Sequence, residues 1–163
     1  MYARFGLAVY HSQVLEHGIV NALVFVDLIP NKMRKVSTQA AWESNVDMFM
    51  DSHFESTMGR LMKSLRDIAV VPTELDDMLR LALKRRNWLA HGFFRANAEN
   101  FMTTEGRLEM LAELDYCRTC FRGADSRLEE TVRPLRENAG VTEEMIEQEY
   151  QRMVSALPGR RVP

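Results

Sequence analysis

Apolar residues recur at steps of three and four along almost the whole chain, the spacing of one face of an α-helix, and no run alternates with the period of two that a half-buried strand requires. Phe5, Ala8, Leu15, Ile19, Ala22 and Val26 form one stripe with Ser12 as its only polar member. It predicts a helix over about residues 3–29, ended by Pro30 and Asn31 and followed by a basic loop of Lys32, Arg34 and Lys35. Trp42, Val46, Phe49, Phe54, Met58, Leu61, Leu65 and Ile68 mark a second segment, residues 38–68. Ser52 and Glu55 can form a capping box inside it, so it is two helices or one kinked helix. Val70, Val71 and Pro72 interrupt the pattern; Thr73, with Asp76 three residues on, can cap a helix over residues 74–91 that Gly92 stops. A polar loop, Arg95 to Thr103, leads to a long helix over residues 104–133 with the stripe Met110, Leu114, Cys117, Phe121, Ala124, Leu128 and Val132, closed by Pro134 and Asn138-Ala139-Gly140. A last helix, residues 142–156, carries Ile146, Tyr150, Met153 and Leu157. The fold class expected is all-α, an antiparallel bundle of about five helices.

The chain has 163 residues, of which 46% are hydrophobic and 27% charged. These proportions suit one folded domain, residues 1–157, with residues 158–163 as a flexible C-terminal tail. Eleven Met fill irregular gaps between helices. Cys117 and Cys120 have no second pair with which to build a zinc site or a disulfide framework, and they read as small buried residues in a reducing, cytoplasmic setting. The most apolar run, Ile19 to Ile29, is interrupted by Asn21 and Asp27 and is too short to span a bilayer, so no membrane association is expected. A net charge of −2 does not mark a nucleic-acid binder, but a balanced total can hide a local patch.

Such a patch lies on the third helix. Leu75, Leu79, Ala82, Leu89 and Phe93 share one face, and Arg86 falls in the middle of it. A cation on an apolar stripe needs a partner, an edge or a site. Arg80, Lys84, Arg85, Arg86 and Arg95 give this window a local charge of +5 with no acid between residues 80 and 95, beside His91. That is a footprint for an RNA backbone, or a solvated face balanced by acids on neighbouring helices. Trp88, Asn87 and His91 lie on the opposite, polar side. Trp88 there packs on another helix, covers a dimer contact or stacks on a base.

The segment Arg86-Asn87-Trp88-Leu89-Ala90-His91, an Arg with a polar residue directly after it and a His four residues beyond that polar residue, resembles the signature of the HEPN superfamily (higher eukaryotes and prokaryotes nucleotide-binding domains). Its place near the end of a late helix in a five-helix bundle agrees with that family's layout. The resemblance implies a homodimer in which two motifs face each other across a cleft, and a metal-independent RNA endonuclease in which the ribose 2′-hydroxyl attacks the adjacent phosphorus. Such chemistry needs a proton acceptor and donor, for which His is best suited, and fixed positive charge on the phosphoryl oxygens, which Arg supplies bidentately. Carried over, His91 is the acid/base group, Arg86 the phosphate clamp and Asn87 the residue that orients the imidazole; Arg80, Lys84, Arg85 and Arg95 hold RNA. A toxin–antitoxin or defence setting, with a protein antitoxin as partner, comes from the family as well. Two departures stand out. Five residues place Arg86 and His91 roughly 140° apart around a helix. Phe93 occupies the position where some toxin-type members carry a modifiable Tyr.

His11 and His17 are spaced wrongly for a shared helical metal site, and His53 reads as a surface residue near a helix start. Glu16, Asp47 and Asp51 are each free to pair with Arg86. Without a glycine-rich phosphate loop, a serine-nucleophile motif or a zinc-helix motif, no cofactor and no metal are expected. Besides the nuclease, two readings stand: a non-catalytic HEPN-like module that holds nucleotide, RNA or protein, and a helical interaction protein in which Arg86 is a structural ion pair.

Overall fold

The computed structural model describes residues 1–33 and 38–156, so Arg34 and Lys35 of the basic loop, Leu157 and the tail lie outside the described residues. The described residues are all-helical, with no strand among them. In chain order they form α1 (Tyr2–Leu23), a π-helical continuation of α1 (Val24–Lys32), α2 (Gln39–Phe54), α3 (Met58–Ile68), α4 (Thr73–His91), the short α5 (Phe93–Ala96), a 3₁₀ turn (Asn100–Met102), α6 (Thr104–Asn138) and α7 (Glu143–Ser155). α1 and α6 pack along each other at the centre, with α4 laid against α6 and α3 against α1. The stripes explain this order. Every residue of the α6 stripe from Met110 to Val132 is buried, and so are Leu75, Leu79, Ala82, Leu89 and Phe93. From α1, Ala8, Ser12, Leu15, Ile19 and Ala22 complete the core, and Ser12 satisfies its hydroxyl on the Val9 carbonyl at 2.7 Å.

Several helix ends differ from those the proline and threonine positions predict, because packing and water outweigh the local signals. Pro30 and Asn31 do not end the first helix; they lie inside the π-helical coil. In that wider ladder the missing Pro30 N–H forfeits one bond, and the buried Val24, Leu28 and Met33 hold the coil on the core. Pro134 likewise sits inside α6, exposed, where water can reach the carbonyl its ring leaves unbonded. α6 stops instead at Gly140, whose φ of 84° favours glycine, with Val141 N–H donating to the Arg136 carbonyl at 3.1 Å. Residues 38–68 are two helices, but the break is at Glu55–Thr57, and the Ser52 hydroxyl caps nothing because it donates to the Phe49 carbonyl at 2.8 Å. Thr73 is the first helical residue of α4 rather than its cap, and Asp76 is taken up by ion pairs. The side-chain caps are Thr38, Thr103 and Thr142. The expected loop from Arg95 to Thr103 holds the end of α5 and the whole 3₁₀ turn, which approaches α6 so closely that a Cβ on Gly106 would lie 2.3 Å from the Asn100 carbonyl oxygen.

The length of the first helix also corrects the membrane argument. Tyr2–Asn31 as one rod is long and apolar enough to cross a membrane by length and composition. In the structure its apolar stripe forms the core against α6, a role that produces the same composition.

Candidate functional site

Arg86 reaches into a crevice between α1 and α4. Its Nε donates to Glu16 Oε1 at 3.0 Å and its Nη1 to Asn87 Oδ1 at 3.4 Å. The crevice, about 130 Å³, is lined besides by Val9, Ser12, Gln13, Leu89 and Ala90. Of the three acids free to meet this guanidinium, the packing of α1 on α4 selects Glu16. The Arg86 side chain is 30% exposed and Glu16 20%, so the pair stands at the rim of the core, not sealed within it. There an ion pair contributes about 1 kcal/mol or less to stability; its larger effect is to fix the direction of the guanidinium. No hydrogen bond from Nη2 is found among the described residues, and the side chain is 30% exposed, which leaves part of the fork open to an anion.

His91, the last residue of α4, is exposed and has no hydrogen-bond or ion-pair partner among the described residues. The helix stays regular up to it, Gly92 N–H donating to the Trp88 carbonyl at 2.9 Å, so the rotation of roughly 140° between Arg86 and His91 stands. Asn87 is turned toward Arg86, and no hydrogen bond joins it to His91. Trp88 is half-buried against the core. Its ring lies over Gly92, where a Cβ would approach Cε3 to 2.6 Å, and its indole N–H is buried without a partner. The close approach explains why glycine follows the motif.

The basic window is less free than its formal charge. Arg80 donates to Asp76 at 2.7 Å, within α4, and Arg66 of α3 reaches the same carboxylate at 2.5 Å. Burial alone would push the Asp76 carboxyl up, but hydrogen bonds from Arg80 and Arg66, with their charges, outweigh it and hold it below the usual 3.8. Arg85 lies 4.8 Å over the Tyr116 ring and 3.7 Å from Glu113, both on α6. Three of the five cations are thus engaged with acids. Lys84 and Arg95 are exposed, with no ion-pair partner among the described residues.

Sequence reasoning passed over two polar features. Arg136, only 6% exposed, donates to Glu143 and forms an ion pair with Glu129 at 3.1 Å, stapling the turn between α6 and α7. The signal was there: Arg136 falls four residues after Val132 and continues the α6 stripe as Arg86 continues that of α4. The second is Asp125, pushed above the ordinary carboxylate range by burial and drawn back only partly by His11; a Cβ on Gly18 would lie 2.7 Å from its Oδ1. Cys117 is buried with its thiol pushed up to about 11, chiefly by desolvation, while Cys120 is half-buried. His53 lies in the last turn of α2, half-buried, with Nδ1 2.8 Å from the Phe49 carbonyl. No three of His, Cys, Asp and Glu converge to hold a metal ion among the described residues.

No known family model, curated protein or solved structure matches the chain.

Proposed function

We propose that this chain is a metal-independent RNA endonuclease of the HEPN type, acting as a homodimer with the α4 ends of two copies across one cleft. The observation that carries the reading is the state of the two motif residues. Arg86 is aimed by Glu16 and Asn87 with one nitrogen still available, and His91 stands exposed and unengaged at the end of the same helix. Because one helix separates the two by roughly 140°, the phosphodiester is shared between Arg86 and His91 only when a second copy closes over it. In that cleft one His91 accepts the 2′-hydroxyl proton as its oxygen bonds to phosphorus. The other donates a proton to the departing 5′-oxygen, and Arg86 neutralises the phosphoryl oxygens. The products are a 2′,3′-cyclic phosphate and a 5′-hydroxyl. Lys84 and Arg95, the cations left free, carry the flanking backbone. Asn87 braces Arg86 rather than the imidazole. A HEPN-like five-helix bundle, a cytoplasmic toxin–antitoxin or defence setting and a protein antitoxin belong to the same proposal.

The test is cleavage of a single-stranded RNA by purified protein in excess chelator. Arg86→Ala and His91→Ala should each abolish it with helicity unchanged and the protein still folded, Arg86→Ala losing about 1 kcal/mol of stability or less; activity retained in both removes these residues from the reaction. A second reading, a non-catalytic HEPN-like module that binds nucleotide, RNA or protein, is favoured by one observation: Glu16 already neutralises Arg86. RNA bound but left intact would decide for it.

A further inference from the structure

Helix α7 is an amphipathic helix whose apolar face its own chain leaves open. None of its thirteen residues is buried, although Met145, Ile146, Tyr150 and Met153 are 40–55% exposed, values ordinarily met by isolated surface residues and not by a whole stripe. α2, beside it, buries only Phe49 and leaves Trp42 and Met48 exposed as well. Between the two runs an apolar groove of about 410 Å³, lined among others by Val24, Phe25, Trp42, Val46 and Ile146. The turn that carries α7 is nevertheless fixed by Arg136 on Glu129 and Glu143 and capped by Thr142. A rigidly presented helix with an uncovered stripe is a contact surface.

We infer that a second copy of this chain covers this face, α7 lying antiparallel on α7 about a two-fold axis near Tyr150. Two arguments select the second copy. Trp42 beside the groove and Met145, Ile146, Tyr150 and Met153 of α7 present on the order of 500 Å² together, more than half of the roughly 800 Å² per partner of a standard interface. The charges also favour one orientation. Glu143, Glu144, Glu147 and Glu149 crowd the first part of α7 and Arg152 follows. A parallel pair would set acid on acid. An antiparallel pair puts Ile146 against Met153 and sets Glu147 of one copy level with Arg152 of the other, and the Glu149–Arg152 pair that each copy already forms at 2.7 Å lies on the same flank as its mate. The helix dipoles then oppose each other favourably.

This surface is separate from the α4 cleft. Arg85 meets α6 at Glu113, whereas α7 springs from α6 beyond Arg136, 23 residues on, so the points where the two attach to α6 are roughly 35 Å apart at 1.5 Å per residue. The inference therefore does not rest on the nuclease reading. Sedimentation of the full chain tests it. Tyr150→Glu combined with Met153→Glu should halve the mass of the oligomer, tetramer to dimer or dimer to monomer, while helicity and melting stay as in the parent. Tyr150→Cys should give a covalent dimer with a short bis-maleimide, and Lys63→Cys, on the exposed side of α3, should not. A mass unchanged by the double substitution overturns the proposal, whether the protein is monomeric throughout or stays associated. Should the double variant fail to fold, the cross-link decides: no more covalent dimer from Cys at 150 than at 63 has the same meaning. RNA cleavage is a separate readout, so either idea can fail alone.

Discussion

Arg86 and Arg136 occupy equivalent positions in two helices, each a cation set on an apolar stripe, yet the chain treats them differently. Arg136 is 6% exposed and has carboxylates from both sides of a turn, Glu129 before it and Glu143 after it. Arg86 stands at a rim with one acid, one amide and a nitrogen left over. The difference lies in the neighbourhood. Arg136 is surrounded by groups close to it in sequence, so its pairing is built with the α6–α7 turn. Arg86 meets Glu16 across 70 positions of sequence, a contact that exists only when α1 has docked on α4. Arg136, closed in by two carboxylates and with its Nε buried unpaired, has no face open to a ligand and acts as a staple; Arg86, open to solvent at its rim, keeps capacity for one.

The comparison is broken most sharply by activity. Arg86→Ala and His91→Ala should each lower RNA cleavage by at least about 100-fold, the order expected for loss of an acid/base or phosphate contact, whereas Arg136→Ala should leave it within about twofold. Stability should order the two arginines in reverse. Arg136→Ala should cost about 2 kcal/mol and lower Tm by about 5 °C, because the turn loses the charge-assisted hydrogen bond to Glu143 and the ion pair with Glu129 while these partly exposed carboxylates regain water. Arg86→Ala should cost about 1 kcal/mol or less in the same melt. A larger loss at Arg86 would make it the structural ion pair and retire the site. Gly92→Ala sharpens the local picture. The methyl must displace the Trp88 ring, so a loss of about 1–2 kcal/mol and an altered tryptophan emission should follow, read by fluorescence-detected unfolding. The smallest effect concerns acid. Since the folded Asp76 pKa lies below 3.8, its contribution is present above that value and fades as pH falls through the lowered folded one. The stability curves of the parent and Asp76→Asn should converge below about pH 3.8 and separate above it.

The same contrast shows what the residue pattern could and could not deliver. The α6 stripe was legible in full because seven apolar residues in helical phase have one way to be buried, and all seven are. The α7 stripe was equally legible as a stripe, but periodicity reports which side of a helix is apolar, not whether anything lies against it. Proline misled twice. Pro30 and Pro134 carry the local signal of a terminator, yet each removes a single hydrogen bond, a loss that packing beneath the coil or water above it outweighs. Arg86 was visible as an anomaly, while its partner was not, because choosing among Glu16, Asp47 and Asp51 requires the crossing of two helices. Its rotation from His91 could be calculated from spacing alone, and nothing in the backbone relieves it.

The π-helical coil of Val24–Lys32 has a consequence of its own. A widened coil holds more residues per turn than the α-helix it extends, so it is a place where the chain has absorbed an extra residue without moving what is anchored on either side. Deleting a single residue there should be tolerated better than anywhere in α6, where the same deletion would turn everything downstream by about 100° and tear the buried stripe from its seat.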